Sequence, residues 1–451
     1  MIRYKTTATS STLPPLRDDG VPLLGNFRQF RADQLKFWLE TGQMGPLVRV
    51  RFGPRELWVV TDAEMLREML QLKARNYPRS SQLIGEDKLD TGKTVFNAPT
   101  WDAWLWRRRL LQPAFHRKHL AAFAETIVDE TSQLMREWHS GEILPIKSVM
   151  KTLTMRIIGR TMFSAPLQET EVLQESFEQI GKYSIYRNAS LFTLPTWLPL
   201  PLYRRTRKAL QVRHELINKL VSERLASGEP QGDLLDMLIA ANLEDGTRFS
   251  GKHIVDEMIS IIFAGHETTS MTLTWLFYLL SQYPTVEQQV RDEIESVLGE
   301  RLPTLNDLEK MPYTSWLIQE TMRLYPSVYL TLREALEADQ LGDTPIPAGT
   351  ELVVNIRGLH RDTRYWQAPE HFNPERFRPE RSQQRHKHAY MPFLIGPRKC
   401  IGDSFAMMEM QLIVPTILQQ WWLRSAGAPP QEKAGFIMEP SGEVPMRVIR
   451  G

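Results

Sequence analysis

The sequence predicts a mainly α-helical protein with a smaller β-rich part, an α+β arrangement built as one large fold. Apolar residues recur at three- and four-residue spacing through most of the stretch from about residue 102 to 325. Short strand-like segments bounded by turn residues lie on both sides of it. No linker, charge block or low-complexity tract divides the 451 residues, of which 42% are hydrophobic and 24% charged. We expect a single domain over residues 1–451, with a β-rich lobe drawn from about 20–75, 326–385 and 425–451.

The first predicted element is a β-hairpin. Leu47–Phe52 and Leu57–Val60 alternate apolar side chains around a turn at Gly53. Thr61–Glu64 follows directly and has the pattern of a capping box, in which a hydroxyl and a carboxylate satisfy the first free N–H groups of a helix. We expect that helix to run through Leu70.

Helical periodicity dominates the middle of the chain and returns near its end. Past Tyr325 and Pro326 the pattern changes to short strands and turns, including the strand Glu351–Asn355. A final helix follows Cys400, runs to about Trp422 and gives way to short closing strands. The middle helices are predicted at Trp104–Gln112, Ala121–His139, Val149–Phe163, Tyr203–Ala226, Leu234–Leu243 and Gly251–Gln282.

Charge and hydropathy exclude several classes of protein. The formal net charge is +2, from 55 Lys and Arg against 53 Asp and Glu, so the overall balance favours neither nucleic acid nor an anionic membrane as a partner. The first twenty residues hold no apolar run of the kind that a signal peptide or an anchor needs. The longest apolar stretch, Met258 to Leu280, is interrupted by Gly265, His266 and Glu267. We expect a soluble cytoplasmic protein without a membrane anchor.

The single cysteine lies in an unusual loop. Cys400 excludes an intramolecular disulfide, which suits a reducing compartment. It precedes a predicted helix, whose dipole, together with Arg398 and Lys399, favours the thiolate. Gly396 allows the backbone to come close to the sulfur, and Phe393 shields one side of the loop. A thiolate held in this way suits a metal ligand, and it equally suits a nucleophile.

Phe393, Gly396, Arg398 and Cys400 resemble the haem-binding pattern F-x-x-G-x-R-x-C of the cytochrome P450 superfamily at every fixed position. The resemblance implies the cytochrome P450 fold and a bound haem b. In such proteins the cysteine is the proximal axial ligand of the haem iron. It therefore implies that Cys400 is the metal ligand.

A second resemblance concerns a charge network. Glu320 and Arg323 are three residues apart and share one helix face, as in the family's E-x-x-R pattern. Arg376 belongs to Phe372–Phe377, which is similar to the family's P-E-R-F segment. The resemblance implies that Glu320, Arg323 and Arg376 form a buried network whose role is structural.

Haem carries two propionates, which need cations or strong donors at the haem edge. Trp104 and Arg108 resemble the family's W-x-x-x-R segment, in which both side chains reach a propionate. Arg333 falls where the family places another propionate-binding arginine, and Arg398 is the third.

The central helix resembles the family's A-G-x-[D/E]-T segment at Ala264–Thr268. In the family the small residues let dioxygen and haem approach the helix. The resemblance implies that Thr268 and Glu267 are catalytic and deliver protons to oxygen.

Three other classes of protein were weighed. The H-E-x-x-H pattern of a zinc hydrolase needs a histidine at the position that Ser270 occupies. A thiol-nucleophile enzyme without haem leaves the segments of Glu320, Arg376 and Trp104 unexplained. A haem-thiolate isomerase or peroxygenase remains an alternative, although Glu267 and Thr268 favour dioxygen chemistry.

The expected activity is a haem-thiolate monooxygenase that inserts one oxygen atom of O2 into a C–H or C=C bond of a hydrophobic small molecule, a terpenoid or a fatty acid. The segments that form pocket walls in the family are mostly apolar here. Electrons are expected from a separate ferredoxin or flavodoxin with its NAD(P)H reductase, because no cysteine cluster or flavin module is fused. The pocket-wall segments are Val328–Leu332, Phe436–Met438, the face of Ile261 and Ala264, and Leu191–Leu200, and the basic residues expected to face the donor are Arg107, Arg109, Arg117, Lys118 and Lys399.

Overall fold

The structure, a computed structural model, describes residues 13–80, 94–98, 100–116, 121–164, 167–188, 197–243 and 245–451. The predicted hairpin is present as strands β1 (Leu47–Phe52) and β2 (Arg55–Val60), which pair antiparallel. Gly53 has φ of +62°, a backbone conformation that glycine adopts without steric cost, and this allows the turn.

The helix after the hairpin begins one residue later than a cap at Thr61 requires. Thr61 still pairs with the hairpin, because its N–H donates to Pro46 O at 2.9 Å. The cap is Asp62, whose carboxylate accepts from the N–H groups of Glu64 and Met65 at 3.0 and 3.1 Å. Helix α3 (Ala63–Arg67) then continues as one turn of π-helix, Glu68–Leu72.

All six predicted middle helices are present. Another helix, Leu167–Asn188, was missed, although Leu173, Phe177, Ile180 and Tyr183 are buried at helical spacing, because the glutamates between them dilute the apolar pattern. The remaining helices before the strand-rich end are α1 (Phe27–Ala32), α2 (Gln34–Gln43), α4 (Trp101–Leu111), α5 (Ala124–Met135), α6 (Ile146–Phe163), α7 (Leu167–Asn188), α8 (Pro201–Ser227), α9 (Leu234–Ala240), α10 (Gly251–Gln282), α11 (Pro284–Leu298) and α12 (Pro312–Leu324).

The last long helix is shorter than predicted. After the short helices α13 (Ile356–His360) and α14 (Pro379–Ser382), α15 spans Asp403–Leu418. The two tryptophans that were assigned to its end belong to strand β8 (Trp421–Ser425), which pairs antiparallel with β11 (Pro445–Arg450). Tryptophan is compatible with either a helix or a strand, and here the hydrogen bonds to β11 make this segment a strand.

Four strands form the largest sheet, in the order β1-β2-β7-β4, with β2 and β7 parallel. A second sheet has the order β3-β11-β8, and its strand β3 comes from the mainly helical middle of the chain, outside the predicted β-rich ranges. The division into lobes stays a prediction. The strands not yet given are β3 (Ile143–Pro145), β4 (Thr331–Glu334), β5 (Asp339–Leu341), β6 (Thr344–Ile346), β7 (Glu351–Val354), β9 (Glu432–Ala434) and β10 (Met438–Pro440).

The long helix α10 runs through the main apolar core. Ser250 caps its start by accepting from the His253 N–H at 3.3 Å. Met258 and Leu273 of α10 share one buried cluster with Leu412 and Ile413 of α15. The core thereby fixes the centre of α10 relative to the helix that follows Cys400. Within the described ranges, no helix combines the length and apolar character needed to cross a membrane.

Candidate active site

The loop before α15 is closed by backbone hydrogen bonds. The Cys400 N–H donates to Phe393 O at 2.9 Å, and the Lys399 N–H donates to Gly396 O at 3.1 Å. Cys400 is exposed, although the loop packs against the core through Phe393. The loop thus presents a thiol at a fixed position on folded structure.

The structure shows why position 396 of this loop is a glycine. Its φ is +76°, and a β-carbon there would overlap the carbonyl oxygen of Leu70 and lie 2.9 Å from Gln71 Cα. The backbone at Gly396 therefore lies in close contact with the π-helical turn Glu68–Leu72. Any larger residue would push the loop away from that turn.

The surroundings of Cys400 do not favour the thiolate in the protein alone, contrary to the sequence prediction. Although Cys400 has exposed surface, the protein around its sulfur displaces water, and this desolvation raises the pKa of the thiol. The Gly402 N–H, Arg108 and Lys399 lower it, whereas Asp403 raises it. The helix begins only at Asp403, which pairs with Lys399 and reduces the effect of that cation.

Three arginines crowd together without an anion. Arg333 and Arg398 are 2% and 8% exposed, and Arg79 is half-buried. Burial lowers the pKa of Arg79 and of Arg398 to about 10, and it lowers that of Arg333 strongly. Repulsion among the three contributes to the shifts of Arg79 and Arg333. No described carboxylate forms an ion pair with any of the three, and the Nε and Nη2 atoms of Arg398 are buried without a hydrogen-bond partner. The charge and the unpaired donors of this cluster suit an anion.

Arg79 was missed from the sequence because its segment matches no motif. It is brought to the cluster by an antiparallel bridge to Arg333 of β4. Only pairing of residues about 250 positions apart, which the sequence does not show, places them together.

Trp104 and Arg108 lie beside the same cluster. The Arg398 guanidinium lies 4.8 Å from the ring centre of Trp104 and 5.9 Å from that of Trp101. Arg108 donates to Lys399 O at 2.9 Å, which ties α4 to the cysteine loop. The indole N–H of Trp101 is buried with no partner among the described residues, so Trp101 is a second candidate donor beside Trp104.

Thr268 and Ala264 lie on the solvent-accessible side at the centre of α10, which is the open face of this helix. Ala264 is exposed midway along the helix, next to buried positions. The Thr268 hydroxyl donates to Ala264 O at 2.7 Å. Ser327 donates to Thr268 O at 2.9 Å and so braces this turn from outside the helix. Gly265 faces α6 instead, where a β-carbon would lie 2.7 Å from Ile158 Cδ1, so helix packing accounts for this small residue.

Glu267 is held by an ion pair. Its Oε1 lies 3.2 Å from Lys151 Nζ of α6, and both side chains are largely buried. The neighbouring His266 is fully buried, and burial lowers its pKa to about 4, so it is neutral near pH 7. Among the described residues, no group of three or more His, Cys, Asp and Glu side chains is arranged to hold a metal ion.

Glu320, Arg323 and Arg376 meet in the structure. Arg323 binds Glu320 through two hydrogen bonds of 2.7 and 2.8 Å, and both side chains are fully buried. Arg376 Nε lies 3.3 Å from Glu320 Oε1, with 12% of its side chain exposed. The Asn373 N–H donates to the same oxygen at 2.9 Å. The network joins α12 to the segment after α13.

The basic residues expected to face a partner divide into three groups. Arg107 is buried and pairs with Glu257 at 3.3 Å, so it does not face a partner. Arg109 is exposed, and Lys399 is half-exposed and paired with Asp403. Arg117 and Lys118 lie outside the described residues, as does the 191–196 part of the predicted pocket loop.

Comparison with known proteins identifies this arrangement. The sequence matches the family model "Cytochrome P450" over residues 14–444. The chain belongs to the cytochrome P450 family. It is 32% identical to cyclooctat-9-en-7-ol 5-monooxygenase of Streptomyces melanosporofaciens, with 94% of each chain covered. It is 30% identical to pentalenene oxygenase of Streptomyces avermitilis, with 89% of each covered. A crystal structure of the cytochrome P450DA heme domain superposes with a TM-score of 0.87 at 23% identity over 98% of both chains.

Membership in the cytochrome P450 family makes the chain a haem-thiolate monooxygenase, and the residues of this structure fit the cofactor. Haem brings two carboxylates, and the cluster of Arg79, Arg333 and Arg398 has buried donors and no described anion partner. A thiol-nucleophile enzyme without haem is therefore wrong for this chain. A haem iron bound at Cys400 would also overcome the raised pKa of this thiol, because a coordinating thiol is deprotonated by the metal.

Proposed function

We propose that this monooxygenase oxidises a terpenoid, with Cys400 as the axial thiolate ligand of haem b. The observation that carries the ligand assignment is the sole cysteine of the sequence, on a hydrogen-bonded loop beside arginines that have no carboxylate partner among the described residues. Two relatives carry names that refer to oxidation of cyclooctat-9-en-7-ol and pentalenene, and each aligns with about nine-tenths of the chain. These relatives favour a terpenoid over a fatty acid.

The propionates would be held by Arg79, Arg333 and Arg398, together with Arg108 and Trp104. Each guanidinium offers two or more parallel donors, which suits a carboxylate. Charge neutralisation would relieve the repulsion that now lowers the pKa values of Arg79 and Arg333. Phe393 and Gly396 would fix the position of the Cys400 sulfur, because their carbonyl groups accept the hydrogen bonds that close the loop.

Haem supplies the redox-active iron at which O2 is reduced, and this chain supplies the protons. The Thr268 hydroxyl donates to Ala264 O, which leaves its own oxygen able to accept a hydrogen bond from water on the open face of α10. Glu267 is one residue away and is linked to Lys151. We assign Thr268 to hold water in position and Glu267 to pass protons toward it.

Electrons would come from a separate ferredoxin or flavodoxin with its NAD(P)H reductase, in the cytoplasm. Arg109 is exposed on α4, the helix that Arg108 joins to the cysteine loop. A cation at this position attracts an acidic donor over a distance of about 10 Å at 0.1 M salt. Lys399 contributes less, because Asp403 neutralises it.

The substrate class is tested by ligand titration of the purified holoenzyme. A terpenoid alcohol or hydrocarbon of about fifteen to twenty carbons is expected to shift the haem spin state at lower concentration than a fatty acid of similar size, because the pocket walls are apolar. Product analysis with a ferredoxin, its reductase and NAD(P)H then identifies the oxidised carbon. Tighter binding and faster oxidation of the fatty acid would contradict the terpenoid assignment.

A further inference from the structure

A buried carboxylate on α10 holds a separate turn of the chain. Glu257 lies seven residues before Ala264 and is fully buried. Its two oxygens accept from the Val95 N–H at 3.0 Å each, and Arg107 Nε of α4 lies 3.3 Å from Oε1. A buried carboxylate is costly unless it is paired and hydrogen-bonded. Here the partners come from two different segments, so the carboxylate joins three parts of the fold.

The held segment is a compact turn, residues 94–97. Asn97 Oδ1 accepts from the Thr94 N–H at 2.7 Å and from the Thr94 hydroxyl at 3.1 Å. The Thr94 hydroxyl also lies 3.3 Å from the hydroxyl of Ser260, one helical turn after Glu257. The turn is thus closed on itself and attached to α10 at two points.

This turn presents an aromatic ring to the open face of α10. The Phe96 ring centre lies 6.2 Å from that of Phe436, which lies 5.3 Å from that of Phe263. Phe96 and Phe436 are 37% and 40% exposed, and Ala264, the residue after Phe263, is exposed as well. These three phenylalanines form an aromatic wall from three distant parts of the sequence.

The same turn also contacts the arginine cluster. Arg79 donates to Phe96 O at 2.7 Å, and its guanidinium lies 3.9 Å from the Phe96 ring centre. A shift of the turn therefore moves both the wall and one cation of the cluster.

We infer that Glu257 is a positioning residue for specificity, which fixes Phe96 in the aromatic wall and so selects rigid cyclic hydrocarbons over flexible chains. The inference rests on the proposed apolar substrate. A wall with a fixed shape favours a ligand that is itself rigid, because a flexible chain loses more conformational entropy when it is ordered against the same surface. Without the carboxylate, the Val95 N–H loses its partner and the turn moves.

Protonation of Glu257 is expected to loosen the turn. Burial raises its pKa to about 7, against the lowering effects of the Val95 N–H and Arg107. Arg107 faces it from α4 and Asp256 from its own helix, and the turn contributes only backbone N–H. As pH falls through about 7, the carboxylate loses charge and accepts the Val95 N–H less strongly.

The test measures amide hydrogen exchange of residues 94–98 and ligand affinity in the holoenzyme. For Glu257→Gln we expect exchange at Val95 to rise about tenfold at about pH 8, since a charged acceptor is lost. Wild-type exchange, corrected for its intrinsic rate, should rise from about pH 8 to about pH 6, and the Gln variant should lose this pH dependence. By spin-state titration, affinity for a sesquiterpene hydrocarbon should fall several-fold, while affinity for dodecanoic acid should change by less than about twofold.

Two further variants distinguish loss of the contacts between Glu257 and the turn from general destabilisation of the fold. Glu130→Gln alters another buried glutamate, which pairs with the half-exposed Arg160 at 2.9 Å, and should leave residues 94–98 unchanged. Phe96→Leu should weaken binding of the sesquiterpene without raising exchange at Val95. Wild-type exchange in Glu257→Gln would overturn the inference, and so would an equal loss of affinity for both ligands. If wild-type protein binds neither ligand, the proposed substrate class is wrong, while the exchange measurement still decides whether Glu257 holds the turn.

Discussion

Replacing the two arginines that share Glu320 should have unequal effects on stability. Arg323→Ala removes two hydrogen bonds from a fully buried carboxylate. It also removes donors to His360 O at 2.9 Å and Pro369 O at 2.6 Å. Arg376→Ala removes a 3.3 Å contact with Glu320 and exposed hydrogen bonds to the carbonyls of Gln367, Ala368 and His371. It leaves Glu320 paired with Arg323 and the Asn373 N–H.

The expected magnitudes follow from what each variant leaves unpaired. Breaking a buried ion pair costs about 3–5 kcal/mol, and this applies to Arg323→Ala because Glu320 keeps only the Asn373 N–H and the 3.3 Å contact with Arg376. Loss of one interaction with a charged group costs about 1.5–3 kcal/mol, which applies to Arg376→Ala because water replaces its donors at the exposed carbonyls. The entropy of unfolding of a chain this long is roughly 1 kcal/mol per degree. The thermal midpoints should therefore fall by about 3–5 °C for Arg323→Ala and about 2 °C for Arg376→Ala.

The assay is the midpoint temperature of haem loss, followed by the Soret band at one heating rate, with the yield of haem-loaded protein as a second measure. Arg378→Ala is the matched control, because this half-exposed arginine is two residues from Arg376 and pairs with Glu375 at 3.1 Å. An exposed pair of this kind contributes about 0–1 kcal/mol. Equal midpoints for Arg323→Ala, Arg376→Ala and Arg378→Ala would refute the reasoning.

Three further outcomes are expected. Cys400→Ser should abolish the long-wavelength Soret band of the reduced carbon monoxide complex, since no other cysteine exists; survival of that band would exclude Cys400 as the ligand. Thr268→Ala should retain haem and ligand binding but yield less product and more hydrogen peroxide per NAD(P)H consumed; unchanged coupling would show that the hydroxyl serves only its bond to Ala264 O. Burial raises the pKa of Glu409 on α15 from 4.5 to about 8, so the fold is favoured while Glu409 is neutral and loses this stability as pH rises from about 4.5 to about 8. The thermal midpoint of Glu409→Gln should therefore rise relative to that of wild type across this pH range. A difference in midpoint that does not change with pH would contradict a titrating Glu409.

The sequence predicts an element correctly where a local pattern of residues determines its structure. The hairpin of β1 and β2 and the helix α10 have the predicted residues, because alternation, turn glycine and helical spacing are local properties. The errors also have local causes. Trp421 and Trp422 suit a helix or a strand equally well, and only pairing with β11 makes them a strand.

The site divides in the same way. Phe393, Gly396, Arg398 and Cys400 were found because they lie within eight residues of each other. Arg79 and Glu257 were not found, because their partners are far away in the sequence. The role of Arg107 was misjudged for the same reason, since its pairing with Glu257 depends on how α4 packs against α10.

Residue order alone does not determine whether the surroundings of Cys400 favour the thiol or the thiolate. Counting neighbours gives two cations beside the thiol, yet burial raises its pKa, and Asp403 both opposes the cations and neutralises Lys399. Farther away, Arg79, Arg333 and Arg398 repel one another in a buried position without a described anion partner. Neither arrangement is favourable for the polypeptide by itself. Both become favourable with a ligand that carries a thiolate-binding metal at its centre and carboxylates at its edge, and haem has this distribution of charge. Because such a ligand binds the folded chain and not the unfolded one, its binding free energy adds to the stability of the fold.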